Sequence, residues 1–546
     1  MRIAVHPGPW TQRYLVGFDL RRRPHLESDV LVIGGGVAGL CAALAAADHG
    51  CEVLLLVKGT LIESNTHYAQ GGVAAVLGDG ERELRDDVDL HVQDTLQAGA
   101  GLCDESVVRE LLGDAAPAID FLRHQGCLFD RAADGHLALA REGGHSARRI
   151  LHAHGDSTGA EVARSLAAAV LAHARITVVE NAFAIDLLTS GEGQAGRAVG
   201  VLYHRREELM AAVAGATVLA TGGCGWVWRE TSNPPVATGD GLAMAYRAGA
   251  ETLDMEFMQF HPTTLYIAGG ARLLITEAMR GEGAVLKNYA GERFMPRYHP
   301  DADLAQRDVV TRAILAEIRA GGFPHVWLDA THLGGTFLTE RFPSIAQACA
   351  RFGIDIARQW IPVHPSAHYH CGGVRSDVRG ATSLAGLWTA GEAGCTGLHG
   401  ANRLASNSIL EGLVMGRRAG IEAAKAGGPP GRMRITMPKG EPAPETLDVP
   451  DLVRSVRSLM WRQVGIERTA SDLAMARRTL AFWSRHQARG EFRNRDGWEL
   501  QNLLLVGNLI ATAAEARKAS VGTHTRTDSQ GELDLTHHAF ARPATP

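Results

Sequence analysis

The chain has 546 residues, 45% of them hydrophobic and 21% charged, with a formal net charge of −5. That is length for two or three domains with sizeable cores. The charge balance gives no basic face for a nucleic-acid partner, and no apolar run is long enough to span a bilayer.

Residues 1–27 carry Pro7, Pro9, Pro24 and several arginines but no apolar signal core. They are expected to form a loose extension and not a signal peptide, with Arg21-Arg22-Arg23 on the solvated surface. Asp29–Ile33 reads as a buried parallel strand. Gly34-Gly35-Gly36 follows, then an Ala/Leu-rich helix from Val37 to His49 that Gly50 caps. Cys51–Val57 is a second buried strand, which completes a βαβ opening. From about 60 to 250, helical and strand patterns alternate. Val213–Ala220 is a strand ending in Thr221-Gly222-Gly223, and Gly239-Asp240-Gly241 opens another Ala-rich helix. Residues 256–365 hold the densest mix of His, Arg, Glu and Thr. Leu384–Thr389 is strand-like and runs into Ala390-Gly391-Glu392, and a long helix starts near Ser408. Prolines and glycines mark 427–450 as a linker. Beyond it, helical spacing over Leu452–His486 and Gly497–Ala519 predicts a small helical domain.

Gly34-x-Gly36-x-x-Gly39 follows a strand and opens a helix, the context a dinucleotide fingerprint requires. The glycines permit a tight turn, and the helix N-terminus presents N–H groups and a positive dipole to a pyrophosphate. The usual acid after the second strand is missing, and Lys58 stands in its place. Glu392, far downstream after a strand, supplies a second glycine-acid element. Two-segment binding suits the extended FAD molecule better than NAD. The alternative for Glu392 is a surface carboxylate favoured by a helix dipole.

Six motifs then occur in one order. They are Asn65-Thr66-His67-Tyr68-Ala69-Gln70-Gly71-Gly72, Gln259-Phe260-His261-Pro262-Thr263, the run Thr276 to Gly283, Arg307-Asp308-Val309-Val310, His368-Tyr369-x-Cys371-Gly372-Gly373, and Gly397 to Ser408. Together they resemble the succinate dehydrogenase/fumarate reductase flavoprotein family over about residues 29–420. The resemblance implies a flavoprotein moving a hydride between FAD and a four-carbon dicarboxylate. Membrane-complex members carry a histidine bonded to FAD five residues before the Gln of the first motif. Here that position is Asn65, so FAD is expected to be non-covalent. Arg141-Glu142-Gly143-Gly144-His145-Ser146 resembles the branch of the family that oxidises L-aspartate.

The resemblance assigns cofactor contacts to Gly34, Gly35, Gly36, Val37, Ala38, Gly39, Lys58, each residue from Asn65 to Gly72, Ala184, Asp240, Glu392, Ser408 and Ile409. It assigns His261, Thr276, His368 and Arg403 to the substrate carboxylates, which need cationic or hydrogen-bonding partners at both ends in a desolvated pocket. Glu142 is expected to meet the substrate's amino group. Arg307 matches the family's proton donor in fumarate reduction, with Glu277 and Arg280 as its proton path. Arginine rarely gives up a proton, so for aspartate oxidation Arg307 is expected to act mainly as an electrostatic clamp.

The implied activity is oxidation of L-aspartate to iminoaspartate with oxygen or fumarate as acceptor, the first step of NAD synthesis through quinolinate. A quinolinate synthase is the implied consumer of the unstable product. The alternatives are a soluble fumarate reductase or succinate dehydrogenase-type flavoprotein, separable by Glu142 and Asn65, and a non-catalytic flavin-binding scaffold. His364, His368, His370 and Cys371, or His152 and His154, complete no zinc spacing, so no metal is expected. Eight cysteines without CxxC pairs indicate a reducing, cytoplasmic compartment.

The fold class expected is α/β, with a Rossmann-like FAD-binding domain in two segments, an inserted α+β capping domain and a C-terminal helical domain. The boundaries are 1–27 for the extension, 28–255 and 367–426 for the FAD-binding segments, 256–366 for the cap, 427–450 for the linker, 451–530 for the helical domain and 531–546 for a tail.

Overall fold

The computed structural model describes residues 2–4, 12–78, 80–81, 83, 85–191, 196–270, 272–428, 448–487, 491–529 and 531–542. Its central sheet has seven strands. Ile176–Val179, Val53–Leu56, His25–Ile33 and Glu208–Leu219 run parallel, in that spatial order. Val30–Ile33 and Val53–Leu56 are buried, which is why they read as unbroken apolar runs. Glu208–Leu219 then turns the sheet into an antiparallel meander with Arg197–Arg205 and Phe183–Ser190. Leu387–Thr389 returns from far downstream and pairs parallel with Thr217–Leu219. Two distant stretches of chain thus share one sheet.

The helix Val37–Asp48 is buried from Val37 to Ala47, which explains its alanine content. It packs against the helix Asn407–Ala426. A Cβ on Gly416 would lie 2.4 Å from the Ala38 carbonyl oxygen, and one on Gly420 2.4 Å from that of Ala42. Glycine is needed there for backbone contact. Gly50, at φ +90°, ends the first helix.

A second, antiparallel sheet orders Met258–Leu265, Ile361–His370, Val326–Asp329 and Val285–Lys287. It has its own apolar cluster, including Met279, Phe294, Ile314 and Phe342. The strand Ile361–His370 runs through the expected boundary at 366/367. The helices Val449–Gln463, Ala470–Gln487 and Arg495–Ala516 do not build a separate core. Leu500, Leu503 and Leu504 join Leu31, Ile33 and Leu242 in one cluster with the central sheet.

Two expectations need correction. The stretch before residue 28 is not loose where it is described. Tyr14, Leu15, Val16 and Phe18 are buried against Phe183, Ile185 and Trp498, because they cover the antiparallel meander, and the backbone N–H of Leu15 donates to Asp186 at 2.6 Å. The central-sheet strand His25–Ile33 also begins inside this stretch. Nor are residues 531–542 of the expected tail free: Ala539–Ala541 pairs with Arg2–Ala4 inside a five-stranded sheet. Most of the expected linker, 429–447, lies outside the described residues. Among the described residues no helix is long and apolar enough to cross a membrane.

Candidate active site

One cavity runs along the C-terminal ends of the parallel strands, the usual ligand position in such sheets. The open space in it, counting the mouth, is about 1700 Å³. Gly34, Gly35, Gly36, Val37 and Ala38 line one wall. Gly34 has φ +118°, and a Cβ there would lie 2.1 Å from the Ala220 oxygen. Gly39 does not line the cavity. A Cβ on it would fall 1.9 Å from the Gly34 oxygen, so it lets helix and turn touch.

The loop from Asn65 to Gly72 forms the next wall. Thr66 Oγ1 accepts from the Val37 N–H at 3.0 Å, which fastens the loop to the start of the glycine-turn helix. Asn65, Thr66, Tyr68, Ala69, Gln70, Gly71 and Gly72 line the cavity. His67 does not; its ring meets Tyr68 edge-on at 5.2 Å. Asn65 Nδ2 donates to Glu392 Oε2 at 3.1 Å, and the His370 N–H donates to Glu392 Oε1 at 2.9 Å. Glu392 is therefore not a surface acid, and burial pushes its carboxyl up to about 7. Asn65 Oδ1, Gln70 Oε1 and Thr221 Oγ1 are buried without a protein partner. Buried polar atoms are rarely left so, and a glycine-walled cleft with such orphaned groups fits a large polar ligand such as a dinucleotide. Ala184, Asp240, Ser408 and Ile409 also face this space.

Lys58 lines the cavity at the end of the second strand, where Rossmann folds carry an acid. Its Nζ donates to Thr238 Oγ1 and Asp240 Oδ2, both at 2.7 Å, and pairs with Glu499 at 2.8 Å. Asn502 Nδ2 donates to the other oxygen of Asp240 at 2.7 Å. Glu499 and Asn502 come from the C-terminal helix Arg495–Ala516. The sequence reading missed both, since nothing local links that helix to this strand end.

His261, Thr276, Glu277, Arg307, His368 and Arg403 line the other end of the same cavity. Arg307 Nε donates to Glu277 Oε2 at 2.6 Å. Gln259 Oε1 accepts from Arg307 Nη1 and from Arg403 Nη2, each at 3.1 Å. Its amide donates to Asn402 Oδ1 and to the Arg403 oxygen, each at 2.7 Å. Gln259 precedes His261 by two residues on one strand, so it shares that residue's face; this spacing was the signal for it. The Arg403 guanidinium lies 4.6 Å from the Tyr369 ring centre. The Tyr369 hydroxyl donates to Glu411 at 2.7 Å.

Burial raises the Glu277 carboxyl, but Arg307 and Arg280 outweigh it and hold it below the ordinary range. Burial, then Arg307, brings Arg403 down to about 10. The same two causes hold His261 and His368 well below the usual imidazole value. Both rings are neutral near pH 7 and lie 5.0 Å apart, with Ser232 Oγ 2.8 Å from His368 Nδ1. Arg280 sits behind the wall, 3.1 Å from Glu277, and donates to the Asp303 oxygen.

Glu142 does not line the cavity. It is 1% exposed, and its Oε2 accepts from Ser406 Oγ, which does line it, at 2.6 Å. Its Oε1 has no hydrogen-bond partner. Ser406, Tyr369 and Thr221 are cavity residues to which the sequence reading gave no role.

A family model for an FAD binding domain matches residues 29–409, and one for the C-terminal part of fumarate reductase flavoproteins matches 453–543. The chain carries the FAD-binding fold, and FAD is its cofactor. It is 43% identical to the L-aspartate oxidase of Streptomyces coelicolor, over 94% of this chain and 90% of that protein. It is 45% identical to that of Mycobacterium tuberculosis, over 92% of each. Among solved structures, an E. coli quinol fumarate reductase chain aligns with TM-score 0.86 at 31% identity, over 94% of each. The chain belongs to the L-aspartate oxidases, within the succinate dehydrogenase/fumarate reductase flavoprotein family.

Proposed function

We propose that this chain oxidises L-aspartate to iminoaspartate with non-covalently bound FAD, passing the electrons to oxygen or fumarate, as the first step of NAD synthesis through quinolinate. The observation that carries the reading is the pair Arg307 and Arg403, held side by side by one Gln259 oxygen next to two neutral histidines. Like charges are brought together in a dry site only where something anionic joins them.

FAD, when bound, supplies the two-electron acceptor for the hydride leaving the substrate's Cα. The protein's own groups bind and orient the substrate. Arg307 and Arg403 bring two guanidinium groups to this end of the cavity, which suit two carboxylates. Arg403 and His368 hold one carboxylate; His261 and Thr276 hold the other. Glu142 adds a carboxylate at Ser406, which suits the ammonium that distinguishes aspartate from succinate. In aspartate oxidation Arg307 clamps the substrate's carboxylate charge while the ammonium gives up a proton and Cα its hydride; in fumarate reduction, where negative charge develops on the acceptor carbon, it delivers a proton, replenished through Glu277 and Arg280. Residues 256–366 act as the cap that shuts out water, and 28–255 with 367–426 bind the cofactor.

Asn65, at the position of the flavin-bonded histidine in membrane complexes, supports non-covalent binding. The eight cysteines, all free, support a reducing cytoplasmic setting. A quinolinate synthase consuming the unstable imine is the partner this reading implies.

The test is steady-state turnover of purified holoprotein with L-aspartate, in air and anaerobically with fumarate. Iminoaspartate hydrolyses to oxaloacetate and ammonia, and both should form with either acceptor. Absence of both products contradicts the reading.

A further inference from the structure

Ser406 is a non-glycine residue at φ +62°, a backbone region that L side chains rarely adopt. It stands at the start of the helix Asn407–Ala426, and its hydroxyl is aimed at Glu142. Something must hold it there.

The Ser406 carbonyl accepts from the Ala74 N–H at 3.1 Å, and a second holding group lies on the far side of the Glu142 loop. His145 is 2% exposed. Arg149 Nη1 lies 3.2 Å from its Nδ1, and its Nε2 lies 2.9 Å from the carbonyl oxygen of Ala405. A guanidinium can only donate. Nδ1 is therefore the acceptor, Nε2 carries the proton, and the ring donates to Ala405, the residue before Ser406. Burial, then Arg149, brings the imidazole down to about 4, so this neutral tautomer persists through the physiological range. Arg149 is fixed in turn by Asp86 at 2.7 Å and Asp94 at 2.6 Å. Asp94 also accepts from Ser146 N and Oγ. The backbone N–H of His145 donates to the backbone carbonyl oxygen of Glu142 at 3.3 Å. The hydrogen bonds thus close a ring: Glu142, the turn to His145, Ala405, Ser406, and back to Glu142. It joins a loop of the first segment to the helix start of the second.

We propose that His145 is a positioning residue for substrate choice: by holding the Ala405 carbonyl it keeps Ser406, which lines the cavity, turned onto one oxygen of the buried Glu142, so that the carboxylate acts on the substrate's amino group through Ser406. This rests on the reading that Glu142 recognises that group.

The test compares wild type, His145→Ala, His145→Gln and Glu142→Gln as FAD-loaded proteins, measuring kcat and KM for L-aspartate and for fumarate with a reduced dye. The Gln amide nitrogen reaches as far as Nε2 and can donate to Ala405. His145→Ala should raise KM for L-aspartate about 3- to 10-fold, the scale of one lost hydrogen bond, with fumarate KM changed less than about 2-fold. His145→Gln should recover most of that loss. If Glu142→Gln impairs aspartate selectively while His145→Ala does not, or if His145→Gln fails to recover selectivity, the positioning role is overturned. If Glu142→Gln impairs both substrates equally, the amine reading itself fails. Should His145→Ala not retain FAD, His145→Asn replaces it. Its amide matches the reach of Nδ1, not Nε2, so it must show the same selective loss; normal selectivity in it overturns the proposal.

Discussion

The side-chain oxygen of Gln259 accepts a hydrogen bond from Nη1 of Arg307 at 3.1 Å. The same oxygen accepts from Arg403, and the amide nitrogen is fixed by Asn402 and the Arg403 backbone. Gln259 therefore sets the spacing of two guanidinium groups that would otherwise repel. Gln259→Leu should raise KM for both L-aspartate and fumarate about 10-fold or more, the scale of lost hydrogen bonds to charged groups. FAD content should not change. Steady-state kinetics check this, and an unchanged KM removes Gln259 from the account.

Arg307 shares its Nε with Glu277 at 2.6 Å. Arg307→Leu should cut both aspartate oxidation and fumarate reduction by about 100-fold or more, the usual loss when one charge-stabilising donor is removed, while the flavin spectrum persists. Arg307→Lys should not rescue it, because one ammonium cannot replace the fork that meets Glu277 and Gln259 together. Substantial turnover by either variant contradicts the clamp role.

Glu392 provides a pH test that needs no turnover. Its carboxyl is raised by burial from 4.5 to about 7, so the folded state binds this proton more tightly than the unfolded chain. Below about pH 4.5 both states are protonated and the group contributes nothing. Between 4.5 and 7 it becomes a growing penalty, levelling above 7 at about 3 kcal/mol. Flavin-free wild type should lose stability relative to Glu392→Gln as pH rises from 5 to 8. Denaturant melts of the two proteins read the difference; parallel profiles would show that Glu392 does not titrate here.

Asn65 gives a chemical test. Acid precipitation of the holoprotein should release the flavin into the supernatant. Yellow colour retained in the pellet would show a covalent bond at another residue and remove the argument from Asn65.

Local pattern carried the core of the fold. The unbroken apolar runs at Val30–Ile33 and Val53–Leu56 and the glycine turn between them are short-range signals, and the structure has them as read. Tyr14 to Phe18 were misread because their aromatic character gains meaning only against Phe183 and Trp498, more than 160 residues away. Lys58 looked like a departure from the Rossmann pattern; its explanation lies in Asp240 and Glu499, a contact made only when the C-terminal helix docks. At the substrate end, motif order pointed to His261, Arg307, His368 and Arg403. Gln259 stands inside the Gln259–Thr263 motif, yet its function depends on two arginines meeting in space. The hydrogen bond from Ser406 to Glu142 joins residues 264 positions apart, which no local pattern reveals.

Anaerobic rapid mixing of the holoprotein with L-aspartate, and separately with succinate, tests the central claim most directly. The account predicts fast bleaching of the flavin absorbance with L-aspartate and much slower bleaching with succinate, the difference shrinking in Glu142→Gln. Faster bleaching by succinate than by L-aspartate would contradict it.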